Sequence, residues 1–189
     1  MRALRILASG VTAAIAWWVG LLVVFGPAQI ILADPDRQSA KFLSVFAQPP
    51  LPRMAERVEI LPLGLLLVGT IYACTYEWLG ARLSGPPIRK GLAFGLIAWA
   101  LMVPWFEFYL PWNVMHEPLP LVLLEALCWL LVLLGVGFAT SVVHDRLADL
   151  VAARPFQSTR NDPQGCLHRP RLGWRSFPPP GIHTRAPAG

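Results

Sequence analysis

Residues Pro104–Glu125 read PWFEFYLPWNVMHEPLPLVLLE. The stretch is a short aromatic turn between two long apolar runs, Leu92–Leu110 before it and Pro118–Val143 after it. Each run approaches or exceeds the roughly 20 residues that a helix needs to cross a bilayer. Two helices joined by so short a turn are antiparallel neighbours, so whatever their ends carry is brought together on one side of the membrane. What they carry is acidic: Glu107, Glu117 and Glu125, with His116 between them.

Working outward, two further apolar runs precede this pair. Ile6–Ala33 contains no charged residue, and Ile60–Trp78 contains only Glu77. Hydrophobic residues make up 55% of the chain and charged residues 14%, against roughly 25% charge in soluble domains. Mean hydropathy is +0.51. The expected fold is therefore all-α: a polytopic membrane protein of four transmembrane helices in a bundle, with spans at about 6–33, 60–79, 92–110 and 118–143 within a domain of residues 1–150. Residues 151–189 are rich in Pro, Gly and Arg and almost without aliphatic clusters. They cannot bury a core, and the expectation is a disordered basic tail. The apolar part of the first run is far longer than the roughly 7–15 residues of a signal-peptide core, and Ile31-Leu32-Ala33 is a poor cleavage site because Ile31 is large. An uncleaved first helix is expected.

The connections have distinct characters. Asp34–Arg57 has nearly cancelling charges; Pro49, Pro50 and Pro52 in it exclude a continuous helix, while Lys41–Phe46 has the pattern of a short amphipathic piece lying in the interface. Gly80–Lys90 is short and purely basic. Pro104 removes an amide hydrogen bond to Ala100 and is expected to kink the third helix. Small residues four apart, at Gly10/Ala14, Ala16/Gly20 and Gly91/Gly95, permit close helix approach.

Basic residues set the orientation. With a cytoplasmic N-terminus, the inside segments hold Arg2, Arg5, Arg82, Arg89, Lys90 and the arginines from Arg146 to Arg185, 12 in all; the outside holds 4, Arg37, Lys41, Arg53 and Arg57. The positive-inside bias predicts both termini in the cytoplasm and Pro104–Glu125 on the outer side. Trp105, Tyr109 and Trp112 then form an outer aromatic belt, and Tyr76 and Trp78 an inner one. The net charge of +5 is a membrane flank; with no basic helix face and no binding-fold motif it is not a nucleic-acid footprint.

Several chemistries find no support. Cys74, Cys128 and Cys166 are scattered without C-x-x-C, so neither a dithiol relay nor a disulfide framework is expected. No phosphate-cradling Gly-rich loop, nucleophile elbow or H-E-x-x-H occurs, and no cofactor or resident metal is expected. The expected environment is the lipid bilayer of a bacterial inner membrane, with a second copy or another membrane protein as partner.

The candidate site residues are Glu107, Glu125, His116 and Glu117. Glu107 lies about one turn inside its helix and Glu125 about two, roughly 9–10 Å deep at 1.5 Å per residue. A carboxylate at mid-span costs roughly 2.5–3.5 kcal/mol, so each needs a reason. Three stand open: polar glue between helices, a proton or cation path, or a metal site of Glu107, His116, Glu117 and Glu125. Glu117 alone reads as a solvated first-turn acid. Glu77 is expected to pair with Arg82 or Arg89, and His144-Asp145-Arg146 to mark the end of the fourth helix.

The region Leu61–Arg146, through LPLGLLLVGTIYACTYEWL, RKGLAFGLIAWALMVP and the aromatic turn that follows, resembles small four-helix bacterial inner-membrane proteins of uncharacterised function. The resemblance implies a four-helix fold and transfers no catalytic residue; the Arg/Pro/Gly tail has no counterpart in it. The function read from the sequence is non-enzymatic, acting through packing with itself or a membrane partner. The alternative is a small transporter or a proton- or cation-conducting subunit built on the outer-side carboxylates.

Overall fold

The computed structural model describes residues 2–46, 48–49, 57 and 59–153. Of the tail expected at 151–189, residues 151–153 instead continue the last helix; residues 154–189, with Cys166, and the loop residues Pro50, Pro52 and Arg53 lie outside the described residues.

Four helices are long and apolar enough to cross a membrane, and among the described residues no strand occurs. Helix α1 runs Arg2–Leu32. A short α2 covers Ala40–Phe46, where the amphipathic piece is expected. Helix α3 is Ile60–Leu79, with Pro62 in its first turn, followed by a tight turn over Gly80–Arg82. Helix α4 runs Pro87–Val114 and starts on Pro87, whose missing N–H is no loss at a first helical position. Helix α5 is Leu119–Ala153. It continues past the expected stop at His144, because His144 and Asp145 are taken up by partners within the bundle.

Helix α5 packs along both α1 and α4, and α1 packs along α3. The small-residue pairs make these contacts. A Cβ on Gly69 of α3 would stand 2.9 Å from the Ala14 backbone nitrogen of α1, and one on Gly137 of α5 would stand 2.7 Å from the Gly95 nitrogen of α4. Gly10 faces Thr70 and Gly20 faces Val132 at similar closeness. All three small-residue pairs read from the sequence are thus used inside the chain.

The core follows the same three-way junction. Ala13, Trp17 and Phe25 of α1, Val103 of α4, and Ala126, Cys128, Val132, Leu133 and Val136 of α5 form one buried cluster. A column of rings crosses it lengthwise. Tyr76 meets Phe94 at 5.4 Å, Phe94 meets Tyr72 at 6.0 Å, Tyr72 stacks on Trp17 at 5.4 Å, and Trp17 leads to Trp129 and Phe25 at 5.7 and then 4.9 Å. Such edge-to-face and offset contacts add to the area they bury.

Two stretches depart from α-helical winding. Leu21–Phe25 of α1 and Pro104–Val114 of α4 have the wider π-helical turn. Instead of a simple kink, Pro104 begins 11 residues of widened helix; the Gly26 amide reaches back to the Leu21 carbonyl and the Met115 amide to the Leu110 carbonyl, five residues each. Such segments are ordinarily single turns and concentrate at functional sites.

Candidate functional site

The bundle has two polar ends. At the end holding the chain's N-terminus, the acidic side chains are paired with basic ones, although the buried Ser9 and Tyr76 hydroxyls there have no hydrogen-bond partner among the described residues. Arg5 of α1 donates to both carboxylate oxygens of Glu77 in α3 at 2.6 Å, and Arg2 adds a third contact at 3.0 Å. His144 of α5 places its Nε2 2.6 Å from the same carboxylate and its Nδ1 3.3 Å from Asp145. Lys90 of α4 donates to Asp145 at 3.1 Å. One network therefore ties all four spanning helices. The expected pairing of Glu77 with Arg82 or Arg89 is replaced: the Arg82 guanidinium lies over the Trp78 ring, 4.5 Å from its centroid, which holds it outside the bundle while Glu77 points in. His144 is buried.

Tyr76 also departs from its expected place in an aromatic belt. It is 0% exposed, packed between Phe94 and His144, whereas Trp78, two residues on, is 65% exposed. Two residues of helix turn the side chain by some 200°, from the core to the surface. Trp105, Tyr109 and Trp112 are exposed, with Trp105 and Tyr109 stacked at 4.9 Å.

At the other end, the widened half of α4, the widened part of α1, α2 and the start of α5 surround a cavity of about 790 Å³. Glu107 and Glu125 both line it, together with Leu21, Phe25, Gln29, Phe42, Phe106 and Trp129. The carboxyl groups come from facing helices and lie within reach of each other and of the Trp129 indole. The Trp129 Nε1 is buried, yet no acceptor stands at hydrogen-bonding geometry to it. Neither Glu107 nor Glu125 has a basic partner among the described residues. The widened turns matter here, because both π-helical stretches contribute lining residues.

Glu117 and His116 do not line this cavity. Glu117 is 6% exposed, not solvated, because its carboxylate accepts the Ser39 amide at 2.9 Å. Ser39 in turn donates its hydroxyl to the Met115 carbonyl at 2.7 Å and accepts the Phe42 amide at 3.0 Å, capping α2. Through this clasp α2 lies across the cavity, with the Phe42 and Phe46 rings in tilted contact, their centroids 4.6 Å apart. Glu117 also lines a neighbouring cavity of about 190 Å³ that shares Gln29, Phe42 and Glu125 with the larger one. His116 is exposed in the α4–α5 turn, in the left-handed region at φ 59°. It does not line the cavity of Glu107 and Glu125, and among the described residues no three His, Cys, Asp or Glu converge as metal ligands would. The four-residue metal site is therefore not assembled among the described residues.

The clasp and the network at the N-terminal end escaped the sequence reading. Ser39 carried a usable signal, since a serine just before an amphipathic stretch is a helix N-cap pattern. The choice of Arg5 for Glu77, 72 positions apart, had none, because it depends on how each helix is rotated. Compared with known proteins, the chain matches no family model, no curated protein and no solved structure.

Proposed function

We propose that this chain is a four-span bacterial inner-membrane protein with both termini in the cytoplasm, and that its working site is the carboxylate cavity, opening on the outer side. The protein acts there by taking up a proton or a cation, as a small transporter or a subunit of one. The observation that carries the reading is that Glu107 and Glu125, from two helices, meet on the wall of one cavity with no basic side chain beside them among the described residues. Intramembrane carboxylates are retained where they pair or where they serve a pathway. Two of them within mutual reach repel unless a proton or cation lies between them. The basic-residue bias supports the orientation, and one bundle is thin for a conduit, so the reading includes assembly into oligomers.

The test is flux in reconstituted vesicles, with a pH-sensitive dye inside and an imposed potential. Proton or monovalent-cation entry is expected with the intact chain and should fall at least tenfold in Glu107→Gln and in Glu125→Gln. Entry at the rate of empty vesicles, or unchanged entry in both variants, overturns the proposal.

A second, equally non-enzymatic reading is packing with a membrane partner. A wholly apolar groove of about 360 Å³ between α1 and α3, lined by Val11, Ala14, Ile15, Trp18, Pro62, Leu65 and Leu66, favours it. Use of the small-residue pairs inside the chain weighs against it, since these are the usual means of close helix association. Tight co-purification of a partner with inert glutamates would favour this reading over the first.

A further inference from the structure

We propose that the ligand of the carboxylate cavity is an organic ammonium ion, its charged head between Glu107 and Glu125 and its apolar body on the surrounding rings. The inference rests on the reading of that cavity as the working site.

Size is the first argument. A proton needs no cavity, and one water's share of volume is only about 30 Å³. The cavity here is about 790 Å³, inside the roughly 300–1,000 Å³ range of small-molecule sites. Composition is the second. Apart from Gln29 and the two carboxyl groups, the polar capacity of the lining is slight, too few oxygens to replace the hydration shell of an inorganic ion. Phe25, Phe42, Phe106 and Trp129 supply ring surface instead, and ring faces attract ammonium groups while accepting a hydrocarbon body. Charge is the third. Among the described residues no lysine, arginine or histidine lines the cavity, so there an anion would meet two acids and no base, and a neutral ligand would leave both acids without a countercharge. The Trp129 Nε1, buried and without an acceptor among the described residues, is a donor placed to hold a carboxylate oxygen that the ammonium leaves free.

The same chemistry has two sources: a free amine, or the ammonium headgroup of an aminophospholipid entering between α1 and α4. The probe for the first is 2-phenylethylammonium, titrated calorimetrically into the full chain in a non-ionic maltoside detergent, against neutral 2-phenylethanol. The probe for the second is lipid retention by native mass spectrometry after exposure to equal phosphatidylethanolamine and phosphatidylglycerol. At least tenfold tighter binding of the ammonium than of the alcohol is expected, or at least tenfold preference for phosphatidylethanolamine. Whichever arm responds names the source. The response should fall at least tenfold in the Glu107→Gln, Glu125→Gln double variant. Phe106→Leu, which leaves the carboxylates in place, should lower it several-fold and covers the case of a double variant that fails to fold. Equal affinity for ammonium and alcohol with equal retention of both lipids overturns the inference, and so does binding that the double variant leaves unchanged. Glutamate-dependent flux of protons or inorganic cations without ammonium recognition would sink this inference and leave the proposed function standing; loss of both would sink the two together.

Discussion

The two ends of the bundle handle acidic side chains in opposite ways. At the N-terminal end, Glu77 has Arg5, Arg2 and His144 around it, and Asp145 has Lys90 and His144. At the other end, Glu107 and Glu125 share a cavity and have no base among the described residues. Burial alone does not distinguish them, since all four are at least partly covered. Partners do. A carboxylate that is matched on several helices is part of the scaffold. One that is left unmatched beside empty volume is available to something from outside.

The largest effect tests the matched end. Glu77→Ala removes the acceptor shared by three basic groups. Glu77 and Arg5 have side chains 11% and 23% exposed, so a loss of about 3 kcal/mol is expected, near the low end for breaking a buried pair. Thermal or denaturant unfolding in detergent measures it. A loss below that of an ordinary surface ion pair would remove the network from the scaffold and the comparison with it.

Next comes the clasp that holds α2 across the cavity. Ser39→Ala loses the cap on the Phe42 amide and the bond to the Met115 carbonyl, a loss of about 1–2 kcal/mol. The damage should stay local. Hydrogen exchange ought to rise in Ala40–Phe46 while the ring column keeps its protection. Exchange rising equally in α3 and α5 would mean that the two ends are not independent.

The unmatched end should respond with the opposite sign. Glu125→Gln keeps shape and removes a charge that has no basic partner among the described residues, so a gain of about 1 kcal/mol is expected. Glu107→Gln should do the same. Because each relieves the other's repulsion, the double variant should gain less than the two gains added together. If both variants lose stability as Glu77→Ala does, Glu107 and Glu125 are polar glue between helices and the contrast between the ends disappears.

How much of this the sequence carries can be argued residue by residue. The four spans, the amphipathic α2 and the convergence of Glu107 and Glu125 were legible, because length, apolar runs and one short turn fix them without side-chain detail. Helix rotation was not legible. Tyr76 and Trp78 look alike as interfacial aromatics in the sequence, yet one is core and the other exposed. Helices that are apolar all round leave no moment to say which face turns inward. Glu117 shows the same limit: a solvated acid by position, it is buried by a serine 78 residues away. The widened turns of α4 were foreshadowed only as an effect of Pro104. What a missing amide does to the following residues depends on what packs against them, and here that is the cavity itself.

The smallest effect separates frame from chemistry at the unmatched end. His116 holds φ 59°, a left-handed conformation that costs an L-residue about 1–2 kcal/mol. Glycine adopts it freely but has about 0.5–1 kcal/mol more chain entropy to lose on folding. His116→Gly should therefore gain only about 0.5 kcal/mol, the difference of those terms. His116→Val should lose more than this, since a β-branched side chain fits that region worst. The informative measurement is the pairing of unfolding with ammonium binding in the same two variants. His116 is exposed and off the cavity wall, so affinity should stay within about twofold of the intact chain, under 0.5 kcal/mol, while stability moves in opposite directions in the two variants. An affinity that falls tenfold in His116→Gly, with the fold intact, would place the imidazole in the site and make the α4–α5 turn part of the chemistry rather than its support.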